Sequence, residues 1–243
     1  MENNKPDYVY DNVMQINEAD ASRTYLAKVF TWMFIALGIS AFVALEFYAN
    51  KSLMSLIVDP AVGGFTGLGY VAIFAPVAFS FVIGFGFNRI SYPVLLFLFI
   101  TYAVTIGVSL SVLGLIYTAS SITGVFLSSA IIFGIMALAG YTTKTDLTKM
   151  GSLLVIAFFG LFAVGLINFF IGSSQLQYFL SFGFVIIMIG LTAYYMQMLK
   201  RIGAGIQFGN ESASKLVLIG AFVLYTTFIN LFTSMLRIFG GRR

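Results

Sequence analysis

The sequence predicts an all-α integral membrane protein, a bundle of seven transmembrane helices, and three observations carry that reading. First, charge is swept out of long stretches: residues 90–143 and 150–199 contain no charged side chain. One helical crossing needs about 20 residues, so each stretch fits two crossings joined by an uncharged turn. Second, 60% of the 243 residues are apolar and 9% charged, with mean hydropathy +0.98. Soluble domains carry roughly 25% charge, so the composition belongs to a polytopic membrane protein. Third, hydrocarbon offers backbone groups no water to bond, so apolar runs of this length must be helices. Seven such helices with short connections make one membrane domain over residues 25–240. Residues 1–24 and 241–243 are left as polar tails.

The elements follow in order. Residues 1–24 carry Glu2, Asp7, Asp11, Glu18 and Asp20 against Lys5 and Arg23, and read as a solvated, partly disordered tail. The first apolar run is too long for the core of a cleavable signal. Spans are expected at 25–48, 69–87, 94–117, 122–139, 153–171, 178–196 and 216–239. Trp32, Tyr48 and Tyr92 fall near span ends, in keeping with an interfacial aromatic belt. The glycine-rich stretch 63–69 lacks the lysine of a phosphate-binding loop and reads as a flexible connector. Pro76 lies mid-span, where it frees a carbonyl and kinks the helix, a packing feature or a hinge. Pro93 opens the third span, where its missing N–H costs nothing. Ala130 with Gly134, and Gly160, Gly165, Gly183 and Gly190, are expected to thin their helices for close packing.

Charge placement orients the bundle. With the N-terminus cytoplasmic, the inner segments hold Lys5, Arg23, Lys28, Arg89, Lys144, Lys149, Lys200, Arg201 and Lys215. The outer ones hold Lys51, Arg237, Arg242 and Arg243, so the positive-inside bias favours N-in, C-out. The net charge of +4 is spread thinly over loops, which makes nucleic acid an unsuitable partner.

Absences narrow the chemistry. With no Cys and no His, disulfides, thiolate metal sites, haem ligation by His and a Ser–His pair are excluded. No two acids lie within spans, as a two-aspartate protease would need. The chain is therefore expected not to be an enzyme and to need no cofactor.

Several local sequences carry a resemblance. Gly140-Tyr141-Thr142-Thr143-Lys144-Thr145-Asp146-Leu147 precedes a span with Gly165-Leu166-Ile167-Asn168-Phe169. Gly190-Leu191-Thr192-Ala193-Tyr194 and Phe228-Ile229-Asn230-Leu231-Phe232 follow in the last two spans. Together with Leu224-Tyr225 and Leu236-Arg237-Ile238-Phe239-Gly240, they make the chain resemble the Bax inhibitor-1 family from about Arg23 to Gly240. The resemblance implies a bundle in which six helices surround the seventh, and a passive, pH-sensitive calcium leak. In conducting members it implies an aspartate on each of the sixth and seventh helices, sharing a proton and latched by an arginine. Two close carboxylates in a dry site cannot both ionise easily, so their titration moves toward neutral pH.

This chain departs from that pattern where it matters. Tyr195 and Thr227 stand at the two aspartate positions. A phenol, titrating near 10, is neutral at physiological pH, and threonine does not titrate. Arg89 stands near the latch arginine and, without its partners, reads better as an anchor reaching for headgroups. Spacing puts Thr192 with Tyr195 on one helix face, and Thr227, Asn230 and Ser234 on another. With Asn168 and Thr226 these form a polar cluster, read either as neutral glue between helices five, six and seven or as a polar pathway. Asp146 is explained by helix capping. Two functions remain: a leak for calcium or another cation without the acidic sensor, or a non-conducting partner of lipids or other membrane proteins. The expected setting is a bacterial inner membrane.

Overall fold

The computed structural model describes residues 8–61, 63–87, 89–206 and 211–243, with side chains from residue 19 onward. Among the described residues the chain forms nine helices: α1 (Tyr8–Ala49), α2 (Lys51–Met54), α3 (Gly67–Gly86), α4 (Tyr92–Ser111), α5 (Leu113–Ile116), α6 (Ala119–Thr142), α7 (Thr148–Ile171), α8 (Ser174–Ala204) and α9 (Glu211–Phe239). Seven helices are long and apolar enough to cross a membrane, the third made of α4 continued by α5. The protein is thus an all-α multi-pass membrane protein, with its spans in the expected order.

The helices overrun the expected spans, chiefly on the side of the bundle that holds the N-terminal segment and the end of α8. α8 runs to Ala204 and α1 begins at Tyr8, because polar residues beyond the hydrocarbon keep helical propensity and no breaker intervenes. The polar segment is therefore helical from Tyr8 instead of partly disordered, while residues 1–7 lie outside the described residues. Its last turn is docked: the Ser22 hydroxyl donates to the Lys200 carbonyl of α8 at 3.0 Å. The C-terminal tail is held as well. Thr118 N–H donates to the Gly241 carbonyl at 3.1 Å and Arg243 N–H to that of Ile116 at 3.0 Å.

α9 is the most buried span and α7 the least. α9 packs against α1, α4, α6 and α8, whereas α3 leans chiefly on α4 and α7 on α8. Where helices meet, glycine decides the spacing. A Cβ on Gly140 would run into the Ala193 backbone, and one on Gly107 would lie 2.7 Å from the Ser40 carbonyl oxygen. Gly183 and Gly190 do abut leucines of α7, at 2.6 and 2.5 Å from the same built Cβ. Gly134, Gly160 and Gly165 face open space, contrary to expectation, since composition cannot say which side of a helix has a neighbour.

The glycine-rich stretch is a built turn rather than a loose connector. Val58 pairs with Phe65 in an isolated antiparallel bridge, and Gly63 adopts the left-handed φ of +69° that closes the reversal. Thr66 then caps α3, accepting from Gly69 N–H at 3.0 Å.

The mid-span proline is tied from a neighbouring helix. Pro76 has no N–H to offer the Ala72 carbonyl one turn earlier. The Ser109 hydroxyl of α4 lies 2.7 Å from that oxygen, sharing its proton with the Thr105 carbonyl at 3.0 Å. A freed carbonyl in a span needs such a donor. Ser109→Ala should therefore destabilise the protein by about 1–3 kcal/mol by orphaning the carbonyl. Unfolding midpoints in detergent check this, and an unchanged midpoint would show that the joint needs no hydroxyl.

Candidate functional site

The central helix presents two kinds of face. Ala221, Leu224, Tyr225, Leu231 and Leu236 are fully buried. Along the opposite side run Ile219, Val223, Thr226, Asn230 and Thr233, each half-buried, and then exposed Arg237. Successive members lie three or four residues apart, so they form one stripe along the helix. Phe222 and Thr226 touch Tyr102 of α4, whereas Gly220 abuts Leu199 of α8. The stripe therefore faces the gap between α4 and α8, whose outer neighbours are α3 and α7. Those two meet at the Phe74 and Phe169 rings, 5.3 Å apart edge to face.

The stripe divides the expected polar cluster. Thr226, Asn230 and the additional Thr233 lie on it. The Asn230 amide donates to the Thr226 carbonyl at 3.0 Å, and the Thr226 hydroxyl lies 3.1 Å from that of Tyr102. Thr227 and Ser234 are buried on the Gly220 side, with the Thr227 hydroxyl on the Val223 carbonyl at 2.8 Å. Thr192, fully buried on the Leu199 side of α8, bonds the Met188 carbonyl at 2.7 Å. These bonds run within a helix because the carbonyl one turn back is always in reach of a threonine hydroxyl. The expected glue between the fifth, sixth and seventh spans does not occur in this cluster among the described residues; the one contact across helices, Thr226–Tyr102, joins the seventh span to the third.

Asn168 does not join the cluster. Near the C-terminal end of α7 it donates to the Ser173 carbonyl at 3.1 Å, tying the turn into α8. Tyr195 is half-buried on α8, between residues facing α9, such as Leu199, and those facing α7, such as Gly190 and Tyr194. Its ring lies 5.2 Å from that of Tyr194. Arg89 is exposed after α3, its N–H on the Gly86 carbonyl. No ion pair of Arg89 occurs among the described residues.

A second hydroxyl arrangement joins three helices at the core. Ser40 of α1 lies 2.7 Å from the Ala103 carbonyl of α4 and 2.6 Å from the Tyr225 hydroxyl of α9. Its one proton is committed to a carbonyl, so Tyr225 is the donor to Ser40.

The best-connected polar site lies at the end of α8, against the α6–α7 connection, and spacing along the sequence does not reveal it. Gln197, Lys200 and Arg201 occupy i, i+3 and i+4 at the end of α8 and together grip the α6–α7 connection. Gln197 accepts from Leu147 N–H at 2.9 Å and donates to the Thr145 carbonyl at 2.8 Å. Lys200 donates to the Tyr141 carbonyl at 2.8 Å, its ammonium 4.6 Å from that ring's centre. Arg201 bonds Asp146 at 3.0 Å and the Thr148 hydroxyl at 3.2 Å. Asp146 also accepts from Thr148 N–H at 3.0 Å, but the N-cap of α7 is Leu147, so in place of the expected cap Asp146 closes a turn before the helix and pairs with Arg201. The Thr148 hydroxyl, then its N–H, then Arg201 hold the Asp146 carboxyl at about 2. A depressed carboxyl contributes above its ordinary range and loses that contribution as pH falls through the lowered value. The grip therefore does not titrate near neutrality. The signal available in the sequence was a run of three polar side chains on one face of an otherwise apolar helix.

A central seventh helix bearing a half-buried stripe, enclosed by membrane-spanning neighbours, defines a multi-pass membrane bundle. The model of the family described as "Inhibitor of apoptosis-promoting Bax1" matches residues 22–243, and the chain belongs to this Bax inhibitor-1 family. It is 38% identical over 222 residues to the inner membrane protein YbhL of Escherichia coli, covering 91% of this chain and 93% of that one. It is 35% identical over 221 residues to a protein of Rickettsia prowazekii, covering 91% of each. A Borreliella burgdorferi protein is 36% identical over 220 residues, covering 90% of this chain and 92% of its own.

Proposed function

We propose that the protein is a passive leak pathway for calcium or another cation, running along the polar stripe of α9 and opening independently of pH near neutrality. The stripe itself carries the reading: Thr226, Asn230 and Thr233 stay half-buried on the central helix of an apolar bundle. Hydroxyl and amide oxygens of this kind can replace part of an ion's water, with backbone carbonyls completing the shell. No carboxylate lies on the stripe, and Tyr195 and Thr227 hold the positions where the family resemblance implies the acidic sensor. The proposal assigns the chain no catalytic reaction.

Reconstitution into liposomes loaded with a calcium dye, at pH 6 and pH 8, tests it. Flux at both pH values, differing by less than about twofold, is expected, since no group on the path titrates there. The double variant Tyr195→Asp with Thr227→Asp should make flux strongly pH-dependent. No wild-type flux at either pH would end the leak reading and leave a non-conducting membrane partner. Strong wild-type pH dependence would refute the loss of the sensor.

The setting we propose is a bacterial inner membrane with the N-terminus cytoplasmic, which the distribution of Lys and Arg and the name of the Escherichia coli relative support. Single cysteines introduced at the two tails should label from opposite sides of the membrane. Labelling from one side would contradict this arrangement.

A further inference from the structure

We propose that the cleft between α1 and α6 is a binding site for an anionic phospholipid of the inner leaflet, its acyl chain lying in the cleft and its phosphate on Arg23. A cavity of about 820 Å³ opens between these helices from Arg23 and Tyr141 at the inner face. It continues into a second of about 320 Å³ that reaches Tyr48 and Arg243. Leu37, Ala41 and Phe126 border both, so the two form one groove. α9 closes its floor with the buried rings of Phe228 and Phe232.

The walls explain why the groove stays open. Gly38 and Ala41 on α1 face Ala130, Gly134 and Ala137 on α6. Small residues at such spacing ordinarily let two helices close together. Here both helices pack on α9 instead, and a Cβ built on Gly38 or Gly134 meets nothing within 4 Å. A dry cavity of about 150 Å³ already takes up benzene, so a hydrocarbon chain finds ample room.

Charge and length select the occupant. From Arg23 to Tyr48, α1 rises about 38 Å, close to the thickness of a bilayer with its headgroups, so an acyl chain entering beside Arg23 fills the half of the groove nearer that residue. The groove is apolar along its length and carries one cation at each mouth, Arg23 at one and Arg243 at the other. Arg243 is already engaged by the Tyr48 hydroxyl at 2.8 Å, which leaves Arg23 to meet an anionic head. Arg23 pairs with Asp20 at 3.7 Å, but both side chains are exposed and the pair is weak, so the guanidinium can serve a phosphate as well. A second copy fits poorly. A twofold axis along the membrane normal would bring two Arg23 side chains to the same depth at one seam.

The test uses the full chain in nanodiscs of dioleoyl phosphatidylglycerol and dioleoyl phosphatidylcholine in equal parts, with retained lipid counted by native mass spectrometry. Wild type should retain phosphatidylglycerol in preference to phosphatidylcholine. Gly38→Leu with Gly134→Leu fills the groove without touching backbone and should abolish retention. Gly84→Leu, equally open but on α3, should leave it unchanged. Arg23→Gln should lower the preference for phosphatidylglycerol about fivefold while total lipid persists, the effect of one cation near an anionic surface. A wild type that retains no lipid overturns the proposal. So do a filled groove that retains as much as wild type, an Arg23 variant with unaltered preference, or a retained dimer in place of lipid.

Discussion

Replacing Gly140 with Val should lower the stability of the bundle by about 1–3 kcal/mol, the usual effect of forcing extra bulk into a closed contact. The obstacle is the Ala193 backbone of α8, which has no rotamer to change, so α6 must move away as a unit. The movement would also strain the grip of α8 on the α6–α7 connection, because Tyr141, the next residue, receives Lys200. The comparison that isolates the cause is Gly134→Val on the same helix. A Cβ there meets open space, so its effect should stay within about 0.5 kcal/mol. Unfolding midpoints of both variants in the same detergent provide the check. Equal midpoints would mean that the approach of α6 to α8 is not a fixed contact.

The second large effect is expected at Gln197. Its amide meets the Leu147 N–H and the Thr145 carbonyl together, so Gln197→Leu leaves both backbone groups without a partner. Each orphaned group costs about 1–3 kcal/mol where water cannot replace the lost bond. The connection is largely exposed, so the change should be felt first as local opening. Hydrogen exchange at the Leu147 amide should accelerate about tenfold or more, the equivalent of 1.4 kcal/mol, with the α9 core unchanged. Unaltered protection at Leu147 would show that Lys200 and Arg201 hold the loop without it.

These two positions show how much could be read before folding. Gly140 and Gln197 both lie within or beside the stretches that carry the family resemblance, yet nothing local says what they touch. Gly134 and Gly140 are alike in the sequence, and one faces open space while the other meets a backbone. Pro76 announced a freed carbonyl, but its donor, Ser109, stands on another helix. The polar cluster was assembled by spacing and then split by burial. Thr227 and Asn230 are three apart, and the packing of α8 buries the first while the gap beside α4 leaves the second half-open. Asn168 is polar as they are, yet α7 holds it at the turn into α8.

Span number, order, membrane class and absence of acid at the Tyr195 and Thr227 positions are all legible in the linear chain. Hydropathy and charge act on each segment through the bilayer, whatever its neighbours. The stripe on α9, the grip of α8 on the α6–α7 connection and the groove between α1 and α6 exist only in the folded bundle. Each depends on which faces of helices distant in sequence are covered, and lipid, being as apolar as the side chains, leaves that choice to packing shape and to the partners available for buried polar groups.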